Sequence, residues 1–160
     1  CNVYKIKVNP SDNAQEISEK LSMLAAEKIL ENIDDIIDEN SKFEEQDHLK
    51  ATYAKKIDKR EGQINWNVAA NKIIGKINGL YPVPGAFFSF KGERYKILKA
   101  EIGSGLGKIG EVISDRLEIA CCNKQSIKIL EIQRQGKKSQ KIGEFMLGSQ
   151  IKKGTIISNV

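Results

Sequence analysis

The chain has 160 residues, of which 29% are charged and 40% hydrophobic, as expected for one ordinary globular domain or two small ones. No apolar run approaches the roughly 20 residues needed to cross a bilayer, which argues against a membrane-spanning protein. The net charge of +5 is unevenly spread. Residues 1–48 carry 5 basic and 12 acidic side chains, a net of −7, whereas residues 49–160 carry 21 and 9, a net of +12. We therefore expect two units, the second of which can attract a polyanion such as RNA.

The first part of the chain predicts one strand and one helix. Residues 3–8 alternate between apolar and polar side chains, which is typical of a strand. That strand starts almost directly after Cys1, and a start in the middle of an element suggests a fragment. Residues 9–12 break the strand, and apolar residues then recur at helical spacing over 17–37. The charged stretch 38–65 lacks this periodicity, and we expect it to form a linker.

The remainder of the chain predicts a second helix and then a domain made mainly of strands. Asn67 can cap the helix, and Pro82 and Pro84 end that segment. Lys91-Gly92 and Asn123-Lys124 predict hairpin turns. The expected strands are residues 86–90, 95–102, 110–113, 117–122, 126–132 and 155–157, with a short helix over 140–147. Short strands at regular spacing favour a small barrel or a sandwich.

The residue types that carry chemistry in enzymes form no recognisable site in this sequence. His48, the single histidine, lies in the acidic stretch with no cysteine nearby, so we expect a solvated residue and not a catalytic base. The carboxylates of residues 34–45 lack the pattern of a calcium loop, and residues 103–108 lack the spacing of a phosphate-binding loop. Cys121 and Cys122 would point to opposite faces of a strand. From these residues alone we expect a basic β module with no active site and no metal.

Blocks of sequence distributed over the chain together resemble the methionyl-tRNA formyltransferases. In that family, the run similar to residues 52–66 joins the two domains of the enzyme. The similar blocks are residues 4–6, 19–21, 52–57, 64–66, 77, 80–86, 92–97, 110–113, 119–121, 130–133, 136–138, 145 and 147–148. Their order and spacing agree over nearly the whole chain, which makes the set specific although no single block is.

The resemblance implies a parent enzyme that transfers a formyl group from 10-formyltetrahydrofolate to methionyl initiator tRNA. It also implies an α/β formyltransferase domain, a linker and a C-terminal β-barrel of oligonucleotide-binding type. On this basis residues 1–40 are a remnant of the first domain, residues 41–65 the linker and residues 66–160 the tRNA-binding barrel. The family's catalytic Asn, His and Asp lie upstream of the segment that Cys1 begins, so we expect the chain to be inactive alone and the folate site to lie elsewhere.

Three positions depart from the family pattern, and other functions remain open. Asn78 stands where the family usually has Arg, and Tyr81 and Val83 replace the usual Asn and Trp. The alternatives are the C-terminal domain of another folate-dependent formyltransferase, a stand-alone RNA-binding module, and an interaction domain that uses no RNA. The block around residues 133–138 and the +12 charge favour the tRNA enzyme.

Lysine and arginine side chains make most contacts to nucleic-acid phosphates, so the basic residues of the linker and of the turns are the candidates for tRNA binding. A solvated surface charge is the alternative for each. The candidates are Lys55, Lys56, Lys59, Arg60, Lys91, Arg94, Lys137 and Lys138. The expected partner is initiator methionyl-tRNA, and the expected protein is a cytoplasmic monomer.

Overall fold

The structure, a computed structural model, describes residues 2–158. It divides into two compact units, Cys1–Lys56 and Ile57–Val160, which are described separately below. Among the described residues, no helix is long and apolar enough to span a membrane.

The first unit is dominated by one helix, α1, Ala14–Ile37. A capping box starts it: Asn13 Oδ1 accepts a hydrogen bond from the Glu16 N–H, and Glu16 Oε2 accepts one from the Asn13 N–H. None of the residues of α1 is buried, so its apolar side chains gain little from packing. The predicted helix is confirmed, but its stability rests on local interactions.

The predicted strand at residues 3–8 is wrong, because these residues form no strand. The neighbours of this segment lie on α1. The Asn2 side chain donates to Asn32 Oδ1 at 3.0 Å, and the Tyr4 hydroxyl accepts from the Asn32 amide at 3.2 Å. A helix satisfies its own backbone groups, so it cannot supply the backbone partner that the alternating pattern needs to become a strand.

The second unit contains helix α2, Ala70–Gly79, which buries Ala70, Ile73 and Ile77 against the sheet. The predicted cap at Asn67 is wrong, because the N-cap residue is Ala69 and no side chain caps locally. The side chain of Gln125 instead accepts a hydrogen bond from the Ala70 N–H at 3.3 Å. A residue distant in sequence thus satisfies one of the free N–H groups of the first turn.

Five antiparallel strands form one sheet, in which β1, β2, β4 and β3 are neighbours in that order and β5 pairs with β4. The strands are β1 Ala86–Phe90, β2 Glu93–Gly103, β3 Glu118–Cys121, β4 Gln125–Arg134 and β5 Ser139–Lys141. The expectation of a mainly β fold with helices is confirmed. Closure of the sheet into a barrel remains a prediction.

Three details of the sheet differ from the sequence-based expectation. The predicted strands at 110–113 and 155–157 are single bridges, Glu111 with Ile156 and Val112 with Ile119. The predicted helix at 140–147 begins later, and α3 is Ile142–Gly148. Residues 139–141 form β5 instead, because β4 continues beyond its pairing with β3 and leaves that edge free to pair.

Residues 57–65, which the sequence places in the linker, belong to the second unit. A short 3₁₀ helix, Lys59–Gly62, packs against β1. The Ile64 N–H then donates to the Phe87 carbonyl at 2.8 Å, and Trp66 is fully buried. The core that they join consists of aromatic and branched aliphatic side chains from α2, α3 and the sheet.

We predict that a protein starting at Ile57 folds alone, because the core of the second unit lies within residues 64–157. Its melting temperature should lie within a few degrees of the main transition of the whole chain. Residues 1–56 alone should show no cooperative transition, since no residue of α1 is fully buried. Circular dichroism melting of the two pieces checks this. A marked loss of stability on removing residues 1–56 would contradict it.

Candidate nucleic-acid interface

Two turns lie side by side at one end of the sheet. The first, Lys91-Gly92, joins β1 to β2, and both of its residues have positive φ, 49° and 78°. This is the geometry that a two-residue hairpin favours. The second turn, residues 135–138, joins β4 to β5 and contains Gly136 with φ 72°. The pairing of Tyr95 with Arg134 aligns β2 with β4, so it brings the two turns together.

The turns border an open cleft of about 640 Å³. Helix α3 and the residues after it form the opposite wall, where the Lys91 ammonium lies 3.2 Å from Gln150 Oε1. The lining contains four basic side chains and two carboxylates. These are Lys91, Arg134, Lys137 and Lys138, with Glu93 and Glu144. The cleft therefore carries a net positive charge, with two carboxylates among its cations.

Glu93, Tyr95 and Arg134 form a hydrogen-bonded group inside this cleft. They share one face of the sheet, because residues 93 and 95 are two apart on one strand and Arg134 lies directly across from Tyr95. The Arg134 guanidinium donates twice to the Glu93 carboxylate, with Nε 2.7 Å from Oε2. The Tyr95 hydroxyl donates to the same Oε2 at 2.8 Å. Forked donation to a carboxylate fixes the orientation of both groups.

These contacts change the proton affinities of the group. The hydrogen bonds from Arg134, and then from Tyr95, lower the pKa of Glu93, and the positive charge of Lys137 lowers it further. Burial, and then the Glu93 carboxylate, raise the pKa of Tyr95. Near neutral pH the group therefore holds a carboxylate, a guanidinium and a neutral phenol.

The core supports the cleft through a row of aromatic rings. The Tyr95 ring stacks on Phe88, with centroids 5.4 Å apart, and meets the edge of Phe145 at 5.9 Å. Phe88 in turn lies 6.1 Å from the ring of Trp66. Because Tyr95 is held on both sides, its hydroxyl offers Glu93 a fixed donor.

Arg94 lies apart from the cleft, on the opposite face of β2. Its guanidinium stands 4.2 Å from the centroid of the Phe87 ring, a cation–π contact. Gly62 of the 3₁₀ helix packs on the same ring, and a side chain at that position would collide with the Gly85 carbonyl. Arg94 and the 3₁₀ helix that carries Lys59 and Arg60 therefore both pack against Phe87.

The eight predicted tRNA contacts therefore fall into three groups. Lys91, Lys137 and Lys138 line the cleft, whereas Arg94 packs on Phe87 and Lys59 and Arg60 lie on the 3₁₀ helix whose Gly62 is next to that ring. Lys55 and Lys56 are exposed and belong to the first unit. Glu93 and Arg134 were not predicted as site residues from the sequence, although the strand alternation and the Lys91-Gly92 turn indicate that Glu93 shares a face with Tyr95.

The other chemically reactive side chains lie outside the cleft. His48 is exposed in a 3₁₀ turn, His48–Lys50. Cys121 is buried, and that burial raises the pKa of its thiol, which disfavours a reactive thiolate. Within residues 2–158, no three His, Cys, Asp or Glu side chains are grouped so that they could hold a metal ion.

The formyl transferase C-terminal domain family matches residues 56–150 of this chain. The chain belongs to this family. A methionyl-tRNA formyltransferase from Pelagibacter ubique is 64% identical over 99% of this chain. Methionyl-tRNA formyltransferases from Thermodesulfovibrio yellowstonii and Rickettsia massiliae are 38% and 40% identical, over 94% and 89% of it. The resemblance found in the sequence is thereby confirmed. This chain spans about half the length of these relatives, 51%, 49% and 47%.

Solved structures share the fold. A variant of HypX from Aquifex aeolicus superposes with a TM-score of 0.67, over 90% of this chain and 27% of that one, at 16% identity. HypX in complex with tetrahydrofolic acid superposes with a TM-score of 0.58, over 78% of this chain and 22% of that one, at 18% identity. At such identities the likeness shows the common fold alone.

We predict that Glu93→Gln lowers the melting temperature at neutral pH, because it removes the charge that Arg134 neutralises. The melting temperature should fall by a few degrees at low salt, because the Glu93–Arg134 pair is partly exposed. A lowered pKa means that the carboxylate stabilises the fold above its ordinary pKa of about 4.3 and loses that effect as the pH falls through the folded-state pKa. The difference between the variant and the wild type should therefore vanish in acid.

Glu101→Gln, on the same strand, is the matched control. Its carboxylate lies 3.8 Å from the ammonium of Lys128, which is too far for a hydrogen bond, so the change should have little effect. Melting curves from pH 7 to pH 2 in dilute buffer give both comparisons. A Glu93→Gln difference that is the same at every pH would show that the charge of Glu93 contributes nothing.

Proposed function

We propose that this chain is the C-terminal part of a methionyl-tRNA formyltransferase and that it binds the tRNA and orients it toward the catalytic domain. Identity of 64% over nearly the whole chain supports the assignment to this enzyme. In the whole enzyme, a formyl group would pass from 10-formyltetrahydrofolate to the amino group of methionyl initiator tRNA. The proposal includes a cytoplasmic location and a monomeric state.

The observation that carries the binding proposal is the alignment of two basic turns by the pairing of β2 with β4. Lys91 lies in one turn, and Lys137 and Lys138 in the other, so the three ammonium groups border a single cleft. All three residues are exposed. Such a surface suits the phosphates of an RNA backbone, which lysines bind without reading sequence. The +12 charge of residues 49–160 would draw the RNA toward it.

The basic residues near Phe87 would extend this surface. Arg94 is exposed, and its guanidinium is held over an aromatic ring, which leaves its N–H groups available at the edge of that ring. Lys59 and Arg60 are exposed on the neighbouring 3₁₀ helix. We propose that these three residues contact a second part of the RNA backbone, and that Lys55 and Lys56, in the first unit, contact RNA as well.

The cleft does not fit the folate co-substrate. A flat pterin ring needs an enclosed slot with polar groups that match its edge. This cleft is open and bordered by lysines, and the Glu93 carboxylate is already bonded to Arg134 and Tyr95. We therefore place no step of the formyl transfer in this chain.

We predict that Lys137→Ala with Lys138→Ala weakens tRNA binding and flattens its dependence on salt. If each lysine contacts one phosphate, the slope of log affinity against log salt should fall by about 1.4–1.8 units. Different RNAs should lose affinity by a similar factor, because phosphate contacts are not sequence-specific. Filter binding of initiator tRNA and of an unrelated tRNA over a salt series measures both effects.

Lys108→Ala with Lys124→Ala provides a control with the same loss of charge. Lys124 lies in the turn before β4, about 30 Å from residues 135–138 if the strand is straight. Lys108 lies just before Gly110, whose N–H donates to Ala120 at that same end of the sheet. The control should change the slope little. Equal effects of the two double variants would contradict a binding site at the cleft.

We also predict that the chain alone does not formylate methionyl-tRNA. The Ser126 hydroxyl donates to the Glu118 carboxylate, but Ser126 is fully buried and out of reach of a substrate, and His48, the single histidine, is exposed. The test incubates a high concentration of the chain with methionyl-tRNA and 10-formyltetrahydrofolate. Formylmethionine above the level of a protein-free blank would show that the chain has an active site of its own.

A further inference from the structure

The Glu93–Arg134 pair connects the two basic turns of the cleft. Glu93 is the first residue of β2, directly after Lys91-Gly92, and Arg134 is the last residue of β4, directly before residues 135–138. A backbone hydrogen bond runs beside the pair, from the Gln135 N–H to the Arg94 carbonyl, at 2.9 Å.

The charge of Glu93 has the wrong sign for a surface that binds RNA. A carboxylate among four cations repels phosphates, and its removal should raise affinity if electrostatics alone decided the outcome. The contacts of this carboxylate suggest a different role. One oxygen accepts from both Tyr95 and Arg134, and the other accepts from Arg134, so the group is fixed in two directions.

The supports of this carboxylate are themselves rigid. Tyr95 is 7% exposed and lies between the rings of Phe88 and Phe145. The second turn is closed by its own bonds, from the Lys137 N–H to the Arg134 carbonyl at 3.0 Å and from the Gln133 amide to the Lys137 carbonyl at 2.9 Å. A displacement of Arg134 would therefore carry Lys137 with it.

We infer that Glu93 is a positioning residue for RNA binding: through Arg134 and Tyr95 it sets the spacing between Lys91 on one turn and Lys137 and Lys138 on the other. This inference rests on the proposed function, the binding of tRNA by the cleft. The effect of Lys137 on the pKa of Glu93 supports it, because it shows that the turn lies within electrostatic reach of the carboxylate. A fixed spacing lets the three ammonium groups meet one stretch of backbone without loss of side-chain and loop freedom on binding.

The test measures the affinity of the whole chain for initiator tRNA over a salt series, below the melting temperature of every variant. Glu93→Gln keeps the shape of the side chain and removes its charge. We expect its affinity to fall by about threefold to tenfold, within the range found for residues coupled in one ion-pair network. The salt slope should fall by about 0.7–0.9 for each phosphate that the variant no longer binds. Glu101→Gln, the control on the same strand, should bind as tightly as the wild type or slightly more tightly.

A charge-swapped variant, Glu93→Arg with Arg134→Glu, keeps the net charge and restores an ion pair between the same two positions. We expect it to regain most of the wild-type affinity and slope. Weaker binding by Glu93→Gln that the swap recovers supports the positioning role. Unchanged or tighter binding by Glu93→Gln overturns it. Weakening that the swap fails to recover also overturns it, because restoring the ion pair would then not restore the binding.

The same data separate this inference from the proposed function. If the wild-type chain shows no salt-dependent affinity for tRNA, the proposed function fails. If the wild type binds and loses affinity on changing Lys137 and Lys138 to Ala, but Glu93→Gln binds more tightly, only the positioning role fails.

Discussion

The pairing of β2 with β4 is the constraint on which the rest of the second unit depends. These are its two longest strands, of 11 and 10 residues, and β1, β3 and β5 all attach to one or the other. Inward-facing residues such as Ile97 and Ile132 are paired directly and form the centre of the core. The same register places Arg134 across from Tyr95, so one set of backbone bonds determines both the packing and the cleft.

The position of Glu93 in this cleft has an electrostatic consequence. A surface for a polyanion would be most attractive if all its charges were positive, yet Glu93 stands among the cations of the cleft. Its hydrogen bonds to Arg134 and Tyr95 lower its pKa, so it keeps its charge near neutral pH. The Glu93 carboxylate thus reduces the positive potential of the cleft. Its charge-assisted hydrogen bonds hold the two turns in fixed positions.

The two units are stabilised in different ways. The second has a continuous core with a fully buried Trp66, whereas no residue of α1 in the first is buried. The first unit relies on the capping box of Asn13 and Glu16 and on partly exposed ion pairs such as Lys28 with Glu31, which contribute little each. The segment that begins at Ile57 and contains the 3₁₀ helix is instead stabilised by packing, because Ile64 and Trp66 belong to the core.

The sequence by itself determined the elements whose causes are local. The period of α1 and the hairpin turns at Lys91-Gly92 and Asn123-Lys124 follow from residues a few positions apart, and the structure has a helix and positive-φ turns there. Tertiary structure decided the elements whose partners are distant. The alternating residues 3–8 formed no strand without a partner, and Gln125 replaced the expected cap of α2.

The site followed the same division. Composition and resemblance indicated the basic turns and the family, because charge and motifs can be read from single positions. Only the register of β2 and β4 could show that Lys91 and Lys137 border one cleft while Arg94 lies on the other face with Phe87. Sequence spacing determines which face of its own strand a side chain occupies, but only the pairing of strands determines which side chains it meets there.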